Sequence, residues 1–304
     1  MYDLIVVGGG PAGLAAGAYA FEKRLDGLLI YTEFGGRAGA QLDLDRFEDE
    51  GTVGSEAVAA LQRRLRLQVQ HLLRDSVTAI TPTGESFRLV TRHSGMLTCR
   101  ALILATGATP IPLEVPGAAR FLNYGLGYSL QTHAPMALEK TVAVIGMTMR
   151  TLRGVQELAH TAQQITVVIP AGMDVPAAWM QALARLPRVT VYSDCTVGAI
   201  VGGSSLQGVD ISQAGHRRSL PADMVFVDLG LHPNSALLDG IVETDSDGFI
   251  VVDERNATSL PGLYAAGDVT TAFGEQMLIA LGDGLRAALS AYHYLLTWSR
   301  PGIR

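Results

Sequence analysis

The stretch from Tyr2 to Gly13, YDLIVVGGGPAG, constrains this chain more than any other. An apolar run, Leu4 to Val7, leads into Gly8, Gly10 and Gly13, and a run of small residues follows at once. This is the G-x-G-x-x-G turn between the first strand and first helix of a dinucleotide-binding βαβ unit. Each glycine has a separate task. Gly8 makes the tight turn, Gly10 bares the backbone to a pyrophosphate, and Gly13 lets the helix pack close to the strand. The helix N-terminus then offers unpaired N–H groups and a partial positive charge to the phosphates. Glycine-rich turns also serve as plain loops, so the reading needs support elsewhere in the chain.

The first helix is expected over about Ala12 to Lys23, and the second strand over Leu28 to Tyr31, after a turn at Asp26-Gly27. Glu33 stands 20 residues beyond Gly13. An acidic side chain at that place accepts hydrogen bonds from a ribose diol. Gly35-Gly36-Arg37 is a second stretch where backbone can approach a ligand closely.

A chain of 304 residues is long enough for two domains, each with its own core. The net charge of −6 argues against nucleic acid or an anionic membrane as the main partner. No apolar run is as long as a membrane span, and the first apolar stretch reads as a strand rather than a signal peptide. A cytoplasmic protein is the expectation. Cys99 and Cys195 lie far apart in apolar, strand-like contexts and read as buried, inert thiols.

From Ser55 to Arg74 the apolar residues Val58, Leu61, Leu65, Val69, Leu72 and Leu73 recur at helical spacing, with Ser55 as the N-cap. Arg63, Arg64 and Arg66 fall on the solvated face of that helix. Strands are expected at Val77 to Ile80, Phe87 to Thr91 and Ala101 to Leu104, before Pro110, Pro112 and Pro116 break the pattern. A second βαβ pattern then opens at Lys140. It comprises strand Thr141 to Ile145, Gly146, a helix to about His160, and strand Ile165 to Ile169. Later strands are expected at Val189 to Tyr192, Val197 to Val201, Gly208 to Ser212, Met224 to Leu229 and Gly248 to Val252. The final helix runs from Gln276 to about Leu296.

Four pieces occur in order: Gly8-Gly9-Gly10-Pro11-Ala12-Gly13, Ala105-Thr106-Gly107, Tyr264-Ala265-Ala266-Gly267-Asp268-Val269 and Gly282-Asp283-Gly284. Together they resemble the low-molecular-weight thioredoxin reductase family of FAD flavoproteins, over nearly the whole chain. The resemblance implies an α/β fold of two Rossmann-like, three-layer ββα nucleotide-binding domains. The FAD domain would be discontinuous, at 1–112 and 241–304, around an NAD(P)-binding-like domain at 117–238. It also implies a homodimer. By resemblance Gly8, Gly10 and Gly13 hold the FAD pyrophosphate, Glu33 the adenosine ribose, and the backbone at Val77 the adenine. Thr106 and Gly107 close over the cofactor, Asp268 holds the ribityl chain, and Gln276 begins a helix whose N–H groups face the flavin. A helix N-terminus at that edge stabilises negative charge on a reduced flavin.

Two departures from that family carry chemical weight. Its members place a C-x-x-C pair in the stretch that here reads Gly125 to Ala134, and Gln131 and Ala134 occupy the two cysteine positions. Thiol–disulfide exchange needs a thiolate, which neither residue supplies. The inserted βαβ turn reads Gly146-Met147-Thr148-Met149-Arg150-Thr151, so threonine stands at both later small positions. A β-carbon at 148 obstructs pyrophosphate, and the stretch after the next strand, Ile169 to Asp174, carries no cation for an NADP 2′-phosphate. Arg150 and Arg153 remain as possible anion contacts. His133 is the one titratable side chain in the stretch replacing the redox pair, and it is a candidate proton carrier. The expectation is an FAD oxidoreductase fed by a ferredoxin-like or flavodoxin-like protein, or by a second flavin, in place of NADPH. The alternative is a non-catalytic FAD-binding sensor or partner-binding module.

Overall fold

The computed structural model describes residues 1–36, 54–130, 134–274 and 276–297. The chain divides into two compact units, Met1–Thr109 with His232–Arg304, and Pro110–Leu231.

The first unit opens with β1 (Tyr2–Val7), α1 (Pro11–Glu22) and β2 (Gly27–Tyr31), followed by α2 (Ser55–Arg66). Next come β3 (Leu72–Arg74), β4 (Val77–Pro82), β5 (Phe87–Thr91) and β6 (Met96–Leu104). The chain passes between units at β7 (Ala108–Pro110). The second unit holds α3 (Ala118–Phe121), β8 (Leu126–Gly127), β9 (Thr141–Ile145), α4 (Met149–Leu158) and β10 (Gln164–Pro170). It continues with α5 (Ala177–Ala184), β11 (Val189–Gly202), β12 (Leu206–Gln213), β13 (His216–Pro221) and β14 (Met224–Val227). After β15 (Leu231–Pro233) the chain returns to the first unit and ends on β16 (Leu263–Ala265) and α6 (Met277–Thr297).

In the first unit the strand order is β3-β2-β1-β6-β5-β4, with β16 also on β6. Strands β3, β2, β1, β6 and β16 pair in parallel, and β4 to β6 form an antiparallel meander. Residues of β1 alternate between two cores. Leu4 and Val6 pack with Leu14, Ala16, Ala287 and Ala288 of the helices, whereas Ile5 and Val7 pack with Leu89, Leu102 and Ile250. Each fully buried leucine, isoleucine or valine among them contributes about 1.5–3 kcal/mol. The second unit repeats the scheme with order β13-β12-β11-β10-β9-β14-β8. Val142 and Val144 of β9 face Leu152, Val155 and Leu158, and Ala143 and Ile145 face the opposite core. Both units are Rossmann-like.

Three local expectations are corrected. The helix from Ser55 stops at Arg66, and Leu72–Arg74 is a parallel strand beside Leu29, Ile30 and Tyr31. Val69 is 69% exposed, so the apolar spacing beyond Arg66 does not mark a buried helical face. His71 anchors the new course by stacking on Phe21 and bonding the Gly27 carbonyl at 2.8 Å. The N-cap of α2 is Gly54, in the left-handed region, with no side-chain capping bond from Ser55. Residues 248–252 form only isolated bridges, through Ile250, and His216–Pro221 is an edge strand whose polar, exposed residues hid it.

Candidate functional site

The first turn is built by backbone approach. The Gly8 N–H donates to the Ile30 carbonyl at 2.8 Å, which brings the ends of β1 and β2 together. A β-carbon at Gly8 would stand 2.1 Å from the Ala105 carbonyl oxygen, and one at Gly13 would stand 1.8 Å from the Gly8 carbonyl oxygen. Neither position tolerates a side chain. Gly10 differs from both: it is the N-cap residue of α1, no side chain caps that helix, and a β-carbon there would meet nothing within 4 Å. Uncapped N–H groups beside open space are the donor set that a pyrophosphate requires.

The other candidate residues gather on the same rim. The turn after β2 is tied to the first turn by the Gly35 N–H on the Gly9 carbonyl at 2.8 Å, which sets exposed Glu33 beside it. Val77 begins β4, two residues after Asp75, whose N–H donates to the Tyr31 carbonyl at 3.0 Å. Burial opposes charge on the Asp75 carboxyl, yet N–H donors from Ser76, Ser94 and His93 hold it well below the usual carboxylate range.

Thr106 and Gly107 follow β6 and are clasped by Asn234. The Thr106 hydroxyl donates to the Asn234 carbonyl at 2.7 Å, and the Asn234 amide returns a bond to the Thr106 carbonyl at 2.9 Å. The Asn234 N–H adds a third, to the Gly107 carbonyl at 2.9 Å. Sequence reasoning passed over Asn234, because only the fold brings it 128 residues back along the chain.

Asp268 is half-buried in the loop after β16. That loop is wedged between two helix starts, since a β-carbon at Gly267 would lie 3.1 Å from Cβ of Ala12 and 3.5 Å from Cβ of Ala280. Gly284 lets α6 press onto α1, where a β-carbon would stand 1.9 Å from the Ala12 carbonyl oxygen. Below them Asp283 is buried, accepts the Gly267 N–H, and pairs with Arg286 at 3.1 Å. Burial pushes the Asp283 carboxyl up, with Arg286 and the Gly267 N–H offsetting part of that rise. Gln276 is exposed at the head of α6, and its carbonyl accepts the Ala280 N–H at 2.9 Å. Gly8, Gly10, Gly13, Glu33, Thr106, Gly107 and Asp268 therefore lie at the carboxyl ends of β1, β2, β6 and β16, whereas Val77 and Gln276 stand at the starts of β4 and α6. His133, with Arg37 and Gln131, lies outside the described residues.

The second unit repeats the main backbone bonds of the first turn. The Gly146 N–H donates to the Val168 carbonyl at 2.9 Å, and the Leu152 N–H to the Thr148 carbonyl at 3.0 Å. A β-carbon at Gly146 would stand 2.0 Å from the Asp228 carbonyl oxygen, so Asp228 takes the place that Ala105 has in the first unit. The side chains differ completely. The Thr148 hydroxyl accepts the Arg150 and Thr151 N–H groups at 3.1 and 3.4 Å and donates to the Asp228 carboxylate at 2.5 Å. The Thr151 hydroxyl reaches the same carboxylate at 2.9 Å, and the Arg150 guanidinium forms an ion pair with it. The Met147 N–H is taken by the Met173 sulfur at 3.2 Å.

Cys99 and Cys195 are both buried. Burial pushes the Cys99 thiol up to about 12, and burial with the nearby Asp194 charge raises Cys195. Neither is poised as a thiolate. Among the described residues no group of three or more His, Cys, Asp or Glu side chains gathers as a metal site, and no helix is long and apolar enough to cross a membrane.

The comparisons with known proteins agree with this architecture. The family described as pyridine nucleotide-disulphide oxidoreductase matches residues 2–287. The chain is 32% identical over 302 residues to a Bacillus subtilis protein named NADH dehydrogenase, covering 97% of this chain and 59% of that one. It is 32% identical over 309 residues to an alkyl hydroperoxide reductase component of Pseudomonas aeruginosa, covering 99% of this chain and again 59% of the relative. The fold is similar to that of thioredoxin reductase from Streptococcus pyogenes, with a TM-score of 0.85 and 25% identity over 98% of this chain and 99% of that one. With a first turn that fits a dinucleotide pyrophosphate, the chain belongs to the pyridine nucleotide-disulphide oxidoreductase family of FAD-binding enzymes.

Proposed function

We propose that this chain is an FAD-dependent oxidoreductase that takes electrons from a donor other than NADPH and passes them on without a dithiol. One observation carries the reading: the Thr148 hydroxyl takes helix N–H groups of the second turn, and Thr148 and Thr151 tie that turn to Asp228, so donors that a nicotinamide dinucleotide would claim are already engaged. The absence of a cysteine pair supports the second half, since Gln131 and Ala134 stand at the family's two cysteine positions and both thiols of the chain are buried.

In this reading Gly8, Gly10 and Gly13 receive the FAD pyrophosphate at the start of α1, and Glu33 accepts the adenosine ribose hydroxyls. The backbone at Val77 meets the adenine, Asp268 holds the ribityl chain, and Thr106 and Gly107 close the rim under the Asn234 clasp. The N-terminus of α6 behind Gln276 supplies N–H donors that favour negative charge on the reduced ring. Bound FAD supplies the electron exchange itself. A ferredoxin-like or flavodoxin-like protein is the proposed donor, or a second flavin, and a homodimer the proposed assembly. The names of the relatives favour a second reading, in which NADH feeds the flavin directly.

Anaerobic titration of the FAD-loaded protein separates the readings. The yellow absorbance is expected to persist with excess NADH or NADPH and to bleach with reduced ferredoxin or flavodoxin. Rapid bleaching by either nicotinamide nucleotide establishes the second reading instead. Persistence with every donor points to a sensor without turnover.

A further inference from the structure

The second turn keeps the backbone of a dinucleotide site, so the feature that closes it must lie in its side chains. Four of them meet at one point. Thr148 and Thr151 each bond the Asp228 carboxylate, and the Arg150 guanidinium pairs with it. The side chain of Asp228 is only 6% exposed, whereas that of Arg150 is 25% exposed. Thus the carboxylate is the inner member of the cluster and the guanidinium its outer cover.

A hydroxyl has one proton to give and two lone pairs to accept with. The Thr148 hydroxyl uses all three, donating to Asp228 and accepting from the Arg150 and Thr151 N–H groups. The helix N–H groups that an incoming phosphate would claim are therefore spent, in an arrangement whose remaining proton is fixed by Asp228. The Met147 N–H of the turn is spent on Met173 in the same way. Meanwhile a fixed negative charge stands at the end of β14, where the first unit has the methyl group of Ala105. An arriving diphosphate meets a like charge in a place poorly screened by water, and Arg150 is already paired.

We propose that Asp228 is the residue that excludes a dinucleotide diphosphate from the second unit, by acting as a built-in occupant of the anion position. The proposal rests on the reading that this unit does not take NADH or NADPH, and it assigns that refusal to one carboxylate rather than to the two threonine β-carbons. Removing the charge frees Arg150 to face a phosphate instead, and removing the whole side chain, as in D228A, frees both hydroxyls as well. The ligand class admitted by such a variant is a dinucleotide diphosphate such as NADPH or NADH.

The test measures NADPH and NADH binding by calorimetry to the FAD-loaded wild type, D228A, the isosteric D228N, and the double variant T148G/T151A. Retained flavin absorbance and thermal midpoint report the fold. D228A and D228N are expected to bind at least one nucleotide 10-fold or more tighter than the wild type, corresponding to about 1.4 kcal/mol, and T148G/T151A less than D228N. If T148G/T151A gains affinity while folded D228N does not, the obstacle is steric and the proposal fails. D228N covers the case in which D228A unfolds, because it keeps the shape and most of the hydrogen bonds. A wild type that itself binds nucleotide tightly overturns the underlying reading. A wild type that refuses nucleotide beside a folded D228N that gains nothing overturns this inference alone.

Discussion

The turns at Gly8 and Gly146 share their backbone bonds and differ in what grows from them. Each first glycine presses on a carbonyl from a neighbouring strand end, at 2.1 Å and 2.0 Å for a notional β-carbon. At the next positions the first turn has Gly10, Ala12 and Gly13, and the second has Thr148, Arg150 and Thr151. The residue that follows the strand beyond is Ala105 in one unit and Asp228 in the other. In the first turn the helix start remains uncapped. In the second, the cap alone is worth about 1 kcal/mol, and hydrogen bonds to a charged partner add about 1.5–3 kcal/mol each. The second turn is thus stable without a ligand, while the first leaves its helix N–H groups uncapped and open to one. A shared fold does not fix function; four side chains decide whether a turn receives an anion or supplies its own.

The largest effect is expected from closing the first turn. Gly13→Val places side-chain atoms where a β-carbon already stands 1.8 Å from the Gly8 carbonyl oxygen. Displacing α1 from the turn is expected to cost about 3 kcal/mol or more, or about 100-fold in FAD affinity. The variant should elute colourless, with the flavin-to-protein absorbance ratio after desalting as the measure. Full yellow occupancy in this variant would break the comparison at its root.

A subtler change transplants one turn into the other. Gly10→Thr meets no protein atom within 4 Å, so the fold without FAD should shift by less than about 1 kcal/mol in urea. Under the proposed binding mode its side chain stands where the pyrophosphate approaches and can cap α1 as Thr148 caps α4, so FAD binding should weaken about 10-fold. Unchanged affinity means that the pyrophosphate does not approach at Gly10.

The first turn was legible in the sequence because its chemistry is the absence of side chains, and glycine spacing writes that absence directly. Thr148 and Thr151 were legible as departures for the same reason. Asp228 and Asn234 were not. Their partners lie 80 and 128 residues away: Asp228 follows a strand that pairs in parallel with β9, and Asn234 follows β15 on the chain's return to the first unit. The misread region after Arg66 has another cause. Leucines at 72 and 73 fit a helical period as well as an edge strand, and periodicity alone cannot separate the two in so short a run.

The smallest expected effect concerns the two buried aspartates, one under each turn. Asp228 is met by two hydroxyls and a guanidinium, whereas Asp283 has the Gly267 N–H and a half-exposed Arg286, and burial raises its pKa. A folded-state value above the unfolded one means that the native protein holds more proton across that interval. Unfolding free energy therefore falls as pH rises through the window between the two values and levels off above the folded one. Asn at 283 cannot titrate, so D283N should lack this part of the slope. Urea unfolding of both proteins between about pH 4 and 7 reads the difference. The wild type should lose more stability than D283N as pH climbs through that interval. Equal slopes would mean that the Gly267 N–H and Arg286 fully offset the burial of Asp283, and that the floor of the first turn needs nothing more to hold its charge.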